Sequence, residues 1–159
     1  MKKILFVILL LLLNLNIYAQ GPFTKGFNII NDIQNNAKSR NITFNANQFI
    51  GKPTIVIKVG TYCPYSHNEL ELLRKIYNQY YGLFNVIVAV VDPENIDKLR
   101  VQYGDQFTYI PGYMLTSYNS GVPFTIYVDD QGEIIDTDEG WSPSLEQVIT
   151  KFIETYSDM

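Results

Sequence analysis

Cysteine and histidine each occur once in these 159 residues, and positive charge is in the minority, with 12 Lys and Arg against 16 Asp and Glu. One cysteine excludes an internal disulfide framework, and one histidine beside it leaves a zinc site short of soft ligands. No metal and no cofactor is expected. A net charge of −4 provides no basic footprint for nucleic acid, so nucleic acid is not an expected partner. Internal repeats are missing, and so is any linker long enough to separate two domains. What is present is apolar mass: 47% hydrophobic and 14% aromatic residues suffice for the core of one ordinary domain and exclude a disordered chain.

There is a single long apolar run, Ile4 to Leu13. It is shorter than the roughly 20 residues that span a bilayer. Lys2 and Lys3 precede it, and Ile17-Tyr18-Ala19 follows, ending on a small residue. The pattern predicts a secretory signal cleaved after Ala19, with an uncleaved N-terminal anchor as the alternative. No cysteine follows the run, which leaves a lipoprotein anchor unsupported. Cleavage leaves 140 residues, 20–159, carrying a charge of −6, with no stable membrane anchor. The exported chain would work in the periplasm or outside the cell, where disulfides form and persist. A lone thiol there needs an explanation.

Residues 20–50 are polar and Asn-rich, and read as a loose lead-in with one strand and one short helix. Beyond them, Thr54 to Val59 is a β-branched run bounded by Pro53 and Gly60, as a buried strand should be. Cys63-Pro64 opens a helix that Gly82 stops. Asn85 to Val91 reads as a second buried strand, and Asp92-Pro93 as the cap and first position of another helix. Pro123 to Val128 forms a third strand, turning through Asp129-Asp130-Gln131-Gly132 into a fourth at Glu133–Asp136. Ser142-Pro143 introduces a last helix with helically spaced apolar residues from Leu145 to Tyr156. The expected order is β-α-β-α-β-β-α, an α/β fold with a mixed sheet covered by helices.

Gly51-Lys52-Pro53, the strand after it, Gly60-Thr61-Tyr62-Cys63-Pro64-Tyr65-Ser66 and Gly121-Val122-Pro123 together resemble the thioredoxin-like superfamily. The likeness is strongest to the redoxin type exported for cytochrome maturation, and it spans about residues 42–156. It implies a thioredoxin-like fold and thiol–disulfide exchange on a protein or small-molecule disulfide. In that family an aromatic residue precedes Cys-x-x-Cys, and Tyr62 stands there. Ser66 takes the place of the second cysteine, so an external thiol would have to resolve the mixed disulfide. A Ser66 hydroxyl can still donate to a Cys63 thiolate. Cys-Pro-Tyr-Ser also resembles monothiol glutaredoxins, in which an outside thiol resolves. Pro123 matches the family's cis-proline, whose neighbouring backbone, here Val122, pairs with substrate as an added strand.

Physical chemistry adds to this independently. A cysteine at a helix N-terminus meets unpaired N–H groups and the macrodipole, both of which favour a thiolate; the bland reading is an inert core cysteine. At 100° per residue, Leu70, Leu72, Leu73, Ile76, Tyr77 and Tyr80 share one arc of the helix, with Ser66 and Glu69 inside it. Glu69 matches a carboxylate that the resembling family carries six residues after its first cysteine. Burial would raise its pKa and suit it to move a proton, whereas an edge carboxylate would reach solvent. His67 falls outside the arc and reads as a surface residue. Tyr62, Pro64 and Tyr65 are candidates for substrate contact. Phe107, Tyr109, Tyr113 and Tyr118 could extend that wall or pack beneath a long loop.

Two functions compete: monothiol exchange through Cys63, and a redox-inactive thioredoxin-like module that binds a protein partner. A peroxidase of the peroxiredoxin type ranks third, because Gly60 stands where that family has Thr.

Overall fold

The computed structural model describes residues 24–115 and 120–157. The signal segment, Gln20–Phe23 and Tyr118 lie outside them. Among the described residues a five-stranded sheet has the order β3-β2-β1-β4-β5. Its strands are β1 (Thr54–Val59), β2 (Asn85–Val90), β3 (Thr108–Pro111), β4 (Phe124–Val128) and β5 (Ile134–Glu139). The helices are α1 (Ile29–Ser39), α2 (Pro64–Gln79), α3 (Ile96–Tyr103) and α4 (Leu145–Tyr156). β1 runs parallel to β2 through the α2 crossover, and β4 and β5 form the antiparallel hairpin. The expected mixed sheet under helices is therefore present.

Alternation along the strands divides the core in two. Ile55, Ile57 and Val59 of β1 face α2, α3 and α4, where Leu70, Leu73, Ile76, Leu99, Ile149 and Ile153 pack on them. Val56 faces the other way, with Ile87, Ala89 and Ile126, under α1. Each such side chain contributes about 1.5–3 kcal/mol on burial.

Three local expectations are corrected. The lead-in contains a full helix, α1, whose Ile29, Ile30, Ile33 and Ala37 are buried. The core thus starts upstream of residue 42. The four apolar positions have helical spacing, but Asn residues between them hide it. Asn28 caps the helix, accepting from the Asn31 amide at 2.9 Å. The second correction is β3, a strand inside the segment that the sequence leaves open between a groove wall and packing beneath a loop. It pairs in parallel with β2, and Phe107 and Tyr109 are buried, so neither lines a groove. Third, Asp92 and Pro93 do hold the cap and first positions, but of a short 3-10 turn, Pro93–Asn95, that runs into α3, and the Asp92 side chain makes no capping bond there.

Candidate active site

β1 ends at Val59, and Gly60-Thr61-Tyr62 turns the chain into α2, leaving Cys63 at the helix N-cap with Pro64 in the first turn. A Cβ on Gly60 would lie 2.9 Å from the tip of the Tyr62 ring, an exposed side chain that can give way. The turn closes through the Cys63 amide, which donates to the Gly60 carbonyl at 3.0 Å. The Cys63 thiol is half-buried and donates to the Val122 carbonyl at 3.3 Å. The Val122–Pro123 peptide bond is cis. Two segments 59 residues apart therefore meet at the sulfur.

The α2 arc is as the spacing predicts, with Ser66, Glu69, Leu70, Leu72, Leu73 and Ile76 buried. Ser66 Oγ accepts from the Gly60 amide at 3.3 Å. Its hydroxyl thus stiffens the turn from beneath, and among the described residues it makes no hydrogen bond to the Cys63 sulfur. Glu69 is fully buried and does not reach solvent. One carboxylate oxygen accepts from the Thr125 hydroxyl on β4, and the other has no partner among the described residues. Burial pushes the Glu69 carboxyl up to about 7, against the lowering effect of Thr125 and with a further upward push from Asp138. A group half-protonated near neutrality inside the core can take or give a proton where water has no access.

His67 is a correction. It is half-buried, with Nδ1 2.6 Å from the Tyr103 hydroxyl and Nε2 2.9 Å from the Thr61 carbonyl. A carbonyl only accepts, so Nε2 carries a proton. With both nitrogens engaged, His67 is a strut between α2, α3 and the Gly60–Tyr62 turn. Helical angle alone placed it in solvent because the partner is on another helix.

Asp92 completes the support. It accepts from the Thr61 amide at 3.1 Å, from the Thr61 hydroxyl, and from Asn95 at 2.9 Å. Burial pulls its carboxyl upward, but these hydrogen bonds outweigh that and hold it below its ordinary value. On the other wall, Lys58 donates to the Ser120 carbonyl and Glu139 accepts from the Gly121 amide. None of Asp92, Tyr103, Thr125, Lys58 or Glu139 was identified from sequence as a site residue. Lys58 left one trace, as the only charge within the β1 run.

Tyr62 and Tyr65 beside Cys63 are 73% and 58% exposed, and Pro64 is exposed. Tyr113 is also exposed, with the Arg40 guanidinium 5.0 Å over its ring. The described residues contain no cluster of three metal-ligating side chains and no helix long and apolar enough to cross a membrane.

No family model matches this sequence, and no curated protein matches it. Solved structures do. A thiol-disulfide isomerase from Corynebacterium glutamicum is 18% identical with a TM-score of 0.61, over 74% of this chain and 88% of that one. A thioredoxin-family thiol:disulfide interchange protein from Chlorobium tepidum is 15% identical with a TM-score of 0.59, over 73% and 87%. A secreted disulfide oxidoreductase from Mycobacterium tuberculosis is 15% identical with a TM-score of 0.56, over 72% and 89%. At these identities the likeness establishes the fold, which is thioredoxin-like.

Proposed function

We propose that this protein is an exported monothiol thiol–disulfide exchange protein acting through Cys63. The observation that carries the reading is the sulfur at the N-cap of α2, 3.3 Å from the carbonyl that precedes cis-Pro123. Support comes from solved proteins of this fold: a thiol-disulfide isomerase, a thiol:disulfide interchange protein and a secreted disulfide oxidoreductase.

The Cys63 thiolate attacks one sulfur of a client disulfide. A Cys63–client disulfide forms, and the other client sulfur leaves as a thiolate that takes up a proton. Ser66 has no sulfur with which to resolve this bond. An external thiol attacks the client sulfur, leaves with it as a new disulfide, and returns Cys63 to the thiolate. No net oxidant is required. Ser66 holds Gly60, and with it the turn that leads to the sulfur. Glu69, on the same helix less than two turns away, is the proton reservoir of the site. Tyr62, Pro64 and Tyr65 line the approach, and Val122 and Pro123 offer backbone to an extended client.

Mixed-disulfide trapping in an extract of the protein's own compartment tests this. Clients linked covalently to the wild type and lost in Cys63→Ala are the expected outcome. Partners retained equally by Cys63→Ala, with no covalent adduct in the wild type, would instead establish the redox-inactive binding module.

A further inference from the structure

The proline loop contributes backbone and no reactive side chain, yet two charged side chains from two different strands grip the two polar sides of one peptide group, Ser120–Gly121. Lys58 Nζ donates to the Ser120 carbonyl at 2.8 Å, and a Glu139 carboxylate oxygen accepts from the Gly121 amide at 3.2 Å. The Pro123 carbonyl is fixed in turn by the Gly140 amide at 2.9 Å. Sheet register brings this about. Lys58 pairs with Phe124 across β1 and β4, and Phe124 pairs with Glu139 across β4 and β5. Paired residues share a face, so a cation and an anion flank β4 where the loop enters it.

The arrangement is costly by itself. Lys58 is half-buried in a strand whose other members are apolar or Thr. Burial lowers its ammonium pKa, partly offset by Glu139. An ammonium tolerated there needs good acceptors, and the Ser120 carbonyl of the loop is one. Both side chains lie on the α1 face of the sheet, opposite the buried Glu69, so neither touches the sulfur. Their contacts lie one and two residues before Val122.

We propose that Lys58 and Glu139 are positioning residues that set the Val122 peptide group as a rigid docking edge, and so make extended polypeptide disulfides the preferred clients over small ones. This rests on the exchange reading above. An extended client needs both the sulfur and a fixed backbone edge beside it, whereas a small disulfide needs only the sulfur.

Two chromogenic disulfides with the same thionitrobenzoate leaving group test it: the symmetric small aromatic disulfide, and a ten-residue extended peptide carrying that group on a central cysteine. The readout is the ratio of their second-order rate constants with the reduced protein. The wild type is expected to favour the peptide. Lys58→Met is expected to lower the ratio about tenfold, and Glu139→Ala, at an exposed strand position, about threefold. A merely structural defect slows both substrates together and leaves the ratio intact, so an unchanged ratio in the variants overturns the assignment. A wild-type ratio near one overturns it as well. Failure of the wild type to release thionitrobenzoate from either substrate removes the exchange reading itself, and this inference with it. Glu139→Ala keeps the test decisive if Lys58→Met does not fold.

Discussion

The two walls that meet at the Cys63 sulfur are built differently. The nucleophile turn is braced from three sides: Ser66 beneath Gly60, Asp92 on the amide and hydroxyl of Thr61, and His67 on the Thr61 carbonyl. The proline loop relies on longer, charged reach, with Lys58, Glu139 and the Gly140 amide as its attachments. One internal tie joins the walls below the sulfur, from Glu69 on α2 to Thr125 on β4. On the exchange reading proposed above, both walls need fixing: a reacting atom gains from tight placement, and a fixed backbone edge takes clients of varied sequence because it offers peptide groups and no side chain.

The tie offers the largest effect. Glu69 has its ordinary value of 4.5 raised to about 7 in the fold, so between those pH values the native state binds more protons than the unfolded chain. Stability therefore falls as pH rises through this window, by about 3 kcal/mol in all. Glu69→Gln should abolish the fall and be the more stable protein above pH 8 (roughly one unit past the raised value). Denaturant unfolding of the two proteins from about pH 4 to 9 checks this, and the same pH dependence in both would show that Glu69 does not titrate differently on folding. The burial of Leu70, Leu73 and Ile76 beside it, at about 1.5–3 kcal/mol each, explains how the helix tolerates the cost.

On the nucleophile wall, Asp92→Ala removes an acceptor shared by Thr61 and Asn95 and should cost about 2 kcal/mol, with faster hydrogen exchange at the Thr61 amide. A loss below a few tenths of a kcal/mol would mean that the turn stands without this brace. Tyr103→Phe deletes the hydroxyl between Gln102 and His67 and should cost about 1 kcal/mol by urea unfolding. An effect as large as that of Asp92→Ala would make α3 the principal support instead. The smallest change is expected for Gly60→Ala. The new Cβ meets the tip of an exposed Tyr62 ring, which can swing aside, so the penalty should stay under ~1 kcal/mol. A larger penalty would show that Tyr62 is held against the turn.

Legibility from sequence followed distance along the chain. The β1 run and the Pro64 start of α2 were readable because strand alternation and helix capping act over a few residues. The burial of Glu69 and Ser66 was readable for the same reason, since the helix face is fixed by spacing alone. β3 escaped because four residues ending in Pro111 carry no period of their own, and only pairing with β2 makes them a strand. Asp92 and His67 were read by local rules, as a cap and a solvated side chain, and both were claimed by partners 36 or fewer residues away but on other elements.

By itself, then, the sequence determined where the lone thiol would stand: after a buried strand, at the start of a helix, with a hydroxyl and a carboxylate on the inward face behind it. Only the tertiary structure decided what braces that thiol and what faces it. The Cys63–Val122 contact spans 59 residues, the Glu69–Thr125 tie 56, and the Lys58–Ser120 grip 62. No periodicity encodes such contacts. They arise where sheet register places residues from separate strands side by side, and register is fixed only when the whole core packs.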